Sequence, residues 1–274
     1  MSILDTNIRL TGASKKTRFP AVAGLFYPAD PEELREMING FLEQAQNDVP
    51  PPKAIIVPHA GFIYSGPVAA RAYATLKSVR GLIKKVILLG PAHRVYLRGL
   101  ALPGDNEFLT PLGTIPIDVD LVKKLQGLPQ VSVMDAAHSE EHSLEVHLPF
   151  LQTVLENFTL LPLVVGEATP TEVSDVLDRV WGGDETLIVI SSDLSHYLEY
   201  ETAKELDAET SRAIEALQPE EIAQHQACGR IPVSGLLRAA RHHHLHATIL
   251  DQRNSGDTAG SKDRVVGYGA YALS

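Results

Sequence analysis

KAIIVPHAG, residues 53–61, places a histidine directly after a short run of apolar residues. An uninterrupted apolar run of this length is typical of a β-strand that is buried on both faces of a sheet. The arrangement recurs along the chain, where an apolar run again leads to polar residues in KKVILLGPAH (84–93), ETLIVISSD (185–193) and HATILDQRN (246–254). These stretches predict the central strands of an α/β fold.

Helical patterns alternate with these strands. PADPEELREMINGFLEQAQ (28–46) predicts an amphipathic helix with Asp30 as its N-cap and Pro31 in its first turn. The other expected helices lie over 66–78, 143–158, 169–182 and most of the 50 residues after ETLIVISS (185–192), among them PEEIAQHQAC (219–228). Hairpins are expected over 97–118, and closing strands over 246–252 and 264–273. The pattern predicts one α/β domain over residues 1–274, in which a mainly parallel mixed sheet is flanked by helices and residues 1–20 form an irregular arm.

Composition narrows the function classes. The 274 residues are 44% apolar and carry a formal net charge of −10, which does not favour nucleic acid or an anionic membrane as a partner. A single cysteine, Cys228, excludes an internal disulfide and is expected to be buried and inert. No stretch reaches the roughly 20 apolar residues of a membrane span, and the N-terminus lacks a signal core, so we expect a cytoplasmic protein.

The polar residues at the strand ends form the main candidate site. Ligands bind outside the carboxyl ends of parallel strands, so His59, His93, Asp193, His196 and Asp257 are expected to converge if the strands are parallel. Two imidazoles and a carboxylate suit Fe(II), and similar sets bind Zn(II). A free histidine beside them would act as a general acid or base. Any one of these residues, taken alone, is more simply interpreted as a loop residue without a chemical role. Asp193 could also cap a helix that starts at SSDLSHY.

Two further histidine clusters lie outside this set. AAHSEEHSLEVHLPF (136–150) carries His138, His142, Glu145 and His147, which could support the metal site or form a structural hydrogen-bond network, and His142 and His147 are expected to reach the cleft before His138 does. RHHHLH (241–246) follows a predicted helix and is expected on the surface. The sequence has no GxGxxG, P-loop or GxSxG motif.

Six motifs in this order resemble the Memo protein family. They are AGLFYPADPEEL (23–34), PHAGFIYSG (58–66), LGPAH (89–93), EHSLEVHLPF (141–150), SSDLSH (191–196) and CGRIPVSGLL (228–237), and the similarity runs from about Arg18 to the C-terminus. The resemblance implies a fold similar to that of the LigB-type class III extradiol dioxygenases, which use non-haem iron. Prokaryotic members are known as protein B of the AmmeMemoRadiSam system, which implies Ammecr-type and radical SAM proteins as partners.

The resemblance also implies roles for individual residues. His59 and His93 match the family's metal-binding histidines, Asp193 and His196 its catalytic pair, and Tyr64 and Phe26 aromatic residues of its pocket. His142 and His147 are expected to contact substrate in the same cleft. The family's third metal ligand is a cysteine in eukaryotes and a glutamate in LigB-type enzymes; it falls on Thr258, a poor ligand, next to Asp257, which could replace it.

Three functions are therefore open. The first is a non-haem, metal-dependent oxidoreductase of dioxygenase type, with Fe(II) expected and zinc or copper as alternatives. The second is a binding module that holds a small molecule, a peptide or a partner protein in the same cleft without catalysis. The third is a metal-dependent hydrolase.

Overall fold

A computed structural model describes residues 16–45 and 49–274. The strands are β1 (Thr17–Arg18), β2 (Ala54–Val57), β3 (Lys85–Pro91), β4 (Leu100–Leu102), β5 (Glu107–Thr110), β6 (Gly113–Pro116), β7 (Val131–Val133), β8 (Thr159–Val165), β9 (Thr186–Ser191), β10 (His196–Leu198), β11 (Ala247–Asn254) and β12 (Val265–Leu273). The helices are α1 (Pro31–Gln44), α2 (Phe62–Ala74), α3 (Val119–Leu125), α4 (Asp135–Ser139), α5 (His142–Glu145), α6 (Leu148–Val154), α7 (Pro170–Val180), α8 (Tyr200–Glu215) and α9 (Arg230–His242).

The centre of the large sheet is parallel. Strands β2, β9, β3 and β8 lie side by side in that order, and each neighbouring pair runs in the same direction. Antiparallel strands extend both edges, because β12 pairs with β2 and β4 pairs with β8. Since β11 is antiparallel to β12, it runs in the same direction as β2. The predicted α/β domain with a mixed sheet is confirmed, and a small second sheet joins β1, β5 and β6.

Helices cover both faces of the sheet. Alternate residues of β3 belong to different apolar clusters: Val86 and Leu88 pack into one, and Ile87 and Leu89 into the other. The first cluster includes residues of α1, α2 and α6, and the second includes residues of α3, α7 and α9. A strand with both faces buried needs apolar residues throughout, which accounts for the continuous apolar runs in the sequence.

Local boundaries differ from the sequence prediction in three helices. Helix α2 begins at Phe62, four residues before the predicted start, and contains Pro67 in its interior. The predicted helix over 143–158 is two helices, because Pro149 lacks a donor and is placed in the first turn of α6. Residues 219–228 form only a short 3₁₀ turn, at 219–221, instead of a helix.

The segment after β9 is also not a helix start. SSDLSHY leads into strand β10, and the next helix is capped by Glu199, so the interpretation of Asp193 as a helix cap is wrong. In the predicted N-terminal arm, residues 1–15 lie outside the described residues. The described part is not an irregular arm throughout, because Thr17 and Arg18 form β1.

A buried ion pair fastens the N-terminal segment to the domain. The carboxylate of Glu145 accepts hydrogen bonds from the Arg18 guanidinium, the Tyr27 hydroxyl (2.6 Å) and the backbone N–H groups of Ala21 (2.7 Å) and Val22 (3.0 Å). Glu145 is 0% exposed. Each carboxylate oxygen therefore has partners that replace water, as a buried charge requires.

Arg18 also binds the segment that precedes α5. Its guanidinium donates to the carbonyl oxygens of His138 (3.1 Å) and Glu141 (2.8 Å). His138 is itself buried, and its Nε2 lies 2.9 Å from the carbonyl oxygen of Ala101. For His138 and Glu145, the structure thus supports the structural-network alternative. Within the described part of the chain, no helix is long and apolar enough to cross a membrane.

Replacing Glu145 with glutamine should destabilise the fold strongly. The substitution leaves the Arg18 guanidinium buried without its counter-charge, and breaking such a pair costs about 3–5 kcal/mol. The free energy of unfolding, measured by urea denaturation, should fall by that amount. The exposed pair Arg80–Glu156 provides the matched control, since Glu156→Gln should change it by less than about 0.5 kcal/mol. Equal effects of the two substitutions would contradict the account.

Candidate metal centre

A cavity of about 640 Å³ opens at the carboxyl ends of the central strands. Loops that follow β2, β3 and β9 bring His59, His93 and Asp193 to it, as the parallel arrangement predicts. Its wall also includes Phe26, Tyr64, Arg94, His142, His196, Tyr197, Arg264 and Tyr268. Of the residues that the sequence predicts for the cleft, Phe26, Tyr64, His142 and His196 thus line this cavity together with His59, His93 and Asp193.

Three histidines converge inside the cavity. One ligand atom from each of His59, His93 and His142 lies within 4.8 Å of the other two. The ring centroids are 5.2 Å apart for His59 and His93, 5.5 Å for His59 and His142, and 4.7 Å for the stacked pair His93 and His142. The loops after β2 and β3 and the first residue of α5 thus bring three imidazoles close together in the cavity.

A relay of hydrogen bonds fixes the ring of His59. The hydroxyl of Ser191 donates to the carbonyl oxygen of Ser143 (2.6 Å), so its oxygen must accept from Nδ1–H of His59 (2.6 Å). This tautomer leaves the lone pair of His59 on Nε2. An outer partner that holds one ring nitrogen and directs the other is the usual support of a metal-binding histidine.

Glu141 performs the same task for His93. Its carboxylate accepts from Nδ1–H of His93 (3.0 Å) and from the backbone N–H groups of His93 (2.6 Å) and Ser143 (2.9 Å). Burial opposes ionisation of this carboxyl, but these hydrogen bonds outweigh it and lower the pKa of Glu141 to about 2. A charged acceptor therefore holds His93 with its Nε2 lone pair free.

His142 completes the group. Burial and the neighbouring His93 lower its pKa, and burial lowers the pKa of His59 well below its usual range. Both rings are therefore neutral at pH 7, which is the form that binds metal ions. Nδ1 of His142 is buried and, among the described residues, has no hydrogen-bond partner; it lies 3.4 Å from a carboxylate oxygen of Glu141. The Phe26 ring packs 4.8 Å from the His142 ring, centroid to centroid.

Asp193 and Cys228 both contact His59. One carboxylate oxygen of Asp193 accepts from the backbone N–H of His59 (2.7 Å), and burial raises the pKa of this carboxyl. The Cys228 sulfur lies 3.4 Å from Nε2 of His59 and accepts from the backbone N–H of Asp193 (3.3 Å). Burial also raises the pKa of the Cys228 thiol, so it is protonated at pH 7. A thiol at this position was not expected from the sequence.

Three predicted site residues lie elsewhere. Asp257 accepts from the Tyr200 hydroxyl (2.5 Å) and from the backbone N–H of Asn254 (3.0 Å), and the Thr258 hydroxyl donates to the carbonyl oxygen of Ser255 (3.2 Å). The bonds to Asn254 and Ser255 close the turn after β11, and the bond to Tyr200 joins this turn to α8. The structure groups His142, rather than Asp257 or Thr258, with His59 and His93. His147 is buried in the core, where its Nδ1 lies 2.9 Å from the Tyr73 hydroxyl, outside the cavity wall.

The sequence contained some signals that pointed to the missed residues. Glu141 precedes His142 in the HSLEVH cluster, and an acid beside a candidate ligand is the expected outer partner of a histidine. Ser191 ends a buried strand, two residues before the candidate Asp193. The cavity arginines Arg94 and Arg264 carried no recognisable motif.

The donor set fits a divalent metal ion. Neutral imidazole nitrogens suit zinc, iron and copper, and both supported histidines carry their lone pair on Nε2. In His59 this nitrogen also lies 3.4 Å from the Cys228 sulfur, a contact that a bound ion would replace. The upper bound of 4.8 Å between donor atoms exceeds the roughly 3.4 Å that separates two nitrogens on a tetrahedral ion with bonds of about 2.1 Å. An ion that binds here is expected to draw the rings together.

Comparisons with known proteins are consistent with these motifs. A family model described as Memo-like protein matches residues 18–272. A MEMO1 family protein of Aquifex aeolicus is 38% identical, over 92% of this chain and 97% of its own length. A MEMO1 family protein of Metallosphaera sedula is 35% identical, over 94% of this chain and 99% of its own length. The crystal structure of an uncharacterized protein, JW3007 from Escherichia coli K12, superposes with a TM-score of 0.50 over 78% of this chain and 98% of its own; at 13% identity this shows the fold alone.

The buried carboxyl of Asp207 gives a pH-dependent prediction. It accepts from the backbone N–H of Ser195 (2.9 Å), in the loop between Asp193 and His196, and burial raises its pKa to about 6. Because this pKa exceeds the ordinary value, the charged carboxylate destabilises the folded protein. This destabilisation is absent below about pH 4, grows as the pH rises, and is complete above about pH 6. Asp207→Asn should therefore raise the free energy of unfolding by about 1–3 kcal/mol at pH 8 and leave it unchanged at pH 4. Urea denaturation at both pH values, with exposed Asp175→Asn as the control, measures this; a loss of stability at pH 8 would contradict it.

Proposed function

The chain belongs to the Memo family, and from that membership and the geometry of the cavity we propose that it binds a divalent metal ion and acts on a small molecule beside it. His59, His93 and His142 would hold the ion. The observation that carries the proposal is the convergence of the three imidazoles within 4.8 Å, two of them held by outer hydrogen bonds. Oriented, neutral imidazoles with these outer partners are what a metal site requires.

Fe(II) is the first candidate for the ion. The family resemblance points to non-haem iron, and nitrogen donors suit it. Zinc is the main alternative, because three histidines also form a common catalytic zinc set, and copper is a third. When bound, such an ion would supply a Lewis acid that polarises an oxygen of the ligand.

His196 is the proposed acid and base. Its Nδ1 lies 2.9 Å from the carbonyl oxygen of Leu194, which can only accept, so Nδ1 carries the hydrogen and the lone pair is on Nε2. The side chain is part of the cavity wall. His196 can therefore take a proton at Nε2 from a ligand hydroxyl in the cavity and later return it.

Asp193 is proposed as a positioning residue. Its buried carboxylate binds the backbone of His59 and shares a loop with His196, so it fixes the relative position of a metal donor and the proposed base. The second oxygen of Asp193 lies 3.9 Å from Nε2 of His59. The carboxylate therefore lies close to a proposed metal donor, but it is not one of the three proposed ligands.

The wall of the cavity suggests the class of ligand. Phe26, Tyr64 and Tyr268 provide flat apolar surface, and Arg94 and Arg264 add two guanidinium groups that pair with no acid in the described ranges 16–45 and 49–274. In a chain with a net charge of −10, this is a local positive field. We therefore expect a planar, anionic ligand, and an oxidoreductase of dioxygenase type is the reaction class that we propose.

Docking of a partner in the same cavity is the second candidate function. Tyr197 at the rim is 68% exposed and has a φ of 58°, a backbone conformation that costs about 1–2 kcal/mol in a non-glycine residue. An exposed aromatic held in this way is suited to contact a peptide or a protein. Association with Ammecr-type and radical SAM proteins belongs to the proposal as well, and co-purification of the three proteins would test it.

Metal binding should depend on the three histidines. We expect the protein, purified without a tag and under anaerobic conditions, to bind Fe(II) in the cavity, and His59→Ala/His93→Ala to reduce the affinity at least 100-fold because two of three donors are lost. His142→Ala should weaken binding at least tenfold. Equilibrium dialysis with metal analysis measures the affinities.

Two substitutions serve as controls. Asp257→Asn and the exposed His225→Ala should leave the Fe(II) affinity unchanged. Binding that survives in the double variant would refute the metal site and favour the docking function. For the iron-loaded protein, oxygen uptake with the anionic 3,4-dihydroxybenzoate should exceed that with catechol. Metal binding without oxygen uptake would support the metal site but contradict the proposed oxidoreductase activity.

A further inference from the structure

A second group of metal-binding side chains lies where α7 packs against α9, away from the strand ends. One ligand atom each from Asp178, His242 and His243 lies within 4.8 Å of the other two. Nε2 of His243 is 2.8 Å from one carboxylate oxygen of Asp178, and Nδ1 of His242 is 3.3 Å from the other. We propose that this group, the Asp178 cluster, is a surface site for a divalent cation such as zinc.

The C-terminal ends of both helices supply these side chains. Asp178 lies in the last turn of α7, and His242 and His243 are the last residue and the C-cap of α9. A helix C-terminus carries partial negative charge, which attracts a cation. The RHHHLH stretch is on the surface, as its sequence predicts, but two of its histidines face an acid of the neighbouring helix.

Trp181 holds one of the donors in place. Its indole ring stacks on the ring of His243 at 3.8 Å between centroids and 5° between planes. The side chain of His243 is only 30% exposed, against 71% for His242. A ring fixed by stacking loses little freedom when it binds a metal ion, so one donor pair, His243 and Asp178, is already organised.

A cation can take the place of the shared proton. Without a metal ion, the Nε2–H of His243 donates to the Asp178 carboxylate. When an ion binds, a neutral ring changes tautomer so that the hydrogen is on Nδ1, and a charged ring releases the Nε2 proton. In both cases the Nε2 lone pair is available to the ion. Two imidazoles and a carboxylate suit zinc, copper and nickel, and leave further positions open. Arg238, Arg241 and Asp175 line the adjoining cavity. Of the two arginines, Arg241 is paired with Glu220 at 2.8 Å.

Trp181 makes the site directly observable, since it is the single tryptophan of the chain. Ni(II) bound beside a stacked indole ring should quench its fluorescence. Titration of the intact protein with Ni(II) should therefore give saturable quenching with one ion per chain, and excess Zn(II) should reverse it. Asp178→Asn and His242→Gln should each weaken the apparent affinity at least tenfold.

Controls separate this cluster from the strand-end cavity. His59→Ala/His93→Ala should retain the quenching of Trp181 in full, as should His246→Gln, which alters an exposed histidine of the same stretch. Zn(II) should also raise the melting temperature of the wild type more than that of Asp178→Asn, because the ion ties α7 to α9. Absence of saturable quenching, or quenching unchanged by both cluster substitutions, would overturn the proposal.

Discussion

The common direction of β2, β9 and β3 is the constraint on which the candidate site depends. Parallel pairing places the carboxyl ends of these strands at one edge of the sheet. His59, His93 and Asp193 lie just beyond those ends, although more than 130 residues separate the first from the last along the chain. Reversal of any one strand would carry its polar residue to the opposite edge, so the topology itself brings these three residues together.

Two buried carboxylates then give the site its precision. Glu141 and Glu145 lie four residues apart, and each is held by several hydrogen bonds. Glu141 orients His93 from behind, while Glu145 binds Arg18 and the N-terminal segment that carries Phe26. The segment between them supplies His142, which explains why residues 138–147 act both in the network and in the cavity. Loss of either carboxylate should therefore disturb the fold and the site together.

Sequence reasoning could predict what depends on local pattern. The buried strands, the parallel centre and the positions of His59 and His93 followed from apolar runs that end in histidine. The proposed third donor could not be predicted in this way, because the choice between His142 and Asp257 depends on where a helix and a turn are placed in space. Helix α5 brings His142 to the cavity wall, whereas the two oxygens of Asp257 accept from the Tyr200 hydroxyl of α8 and from the backbone N–H of Asn254. The position of Cys228 beside His59 likewise depends on tertiary packing.

The measurement that tests the central claim most directly is a crystal structure of the metal-loaded protein, with anomalous diffraction recorded at the iron and zinc absorption edges. The account predicts an anomalous peak within bonding distance, about 2.0–2.3 Å, of nitrogens from His59, His93 and His142. A peak bound instead through Asp257 or Thr258, or no peak in this cavity from protein that carries stoichiometric metal, would contradict it.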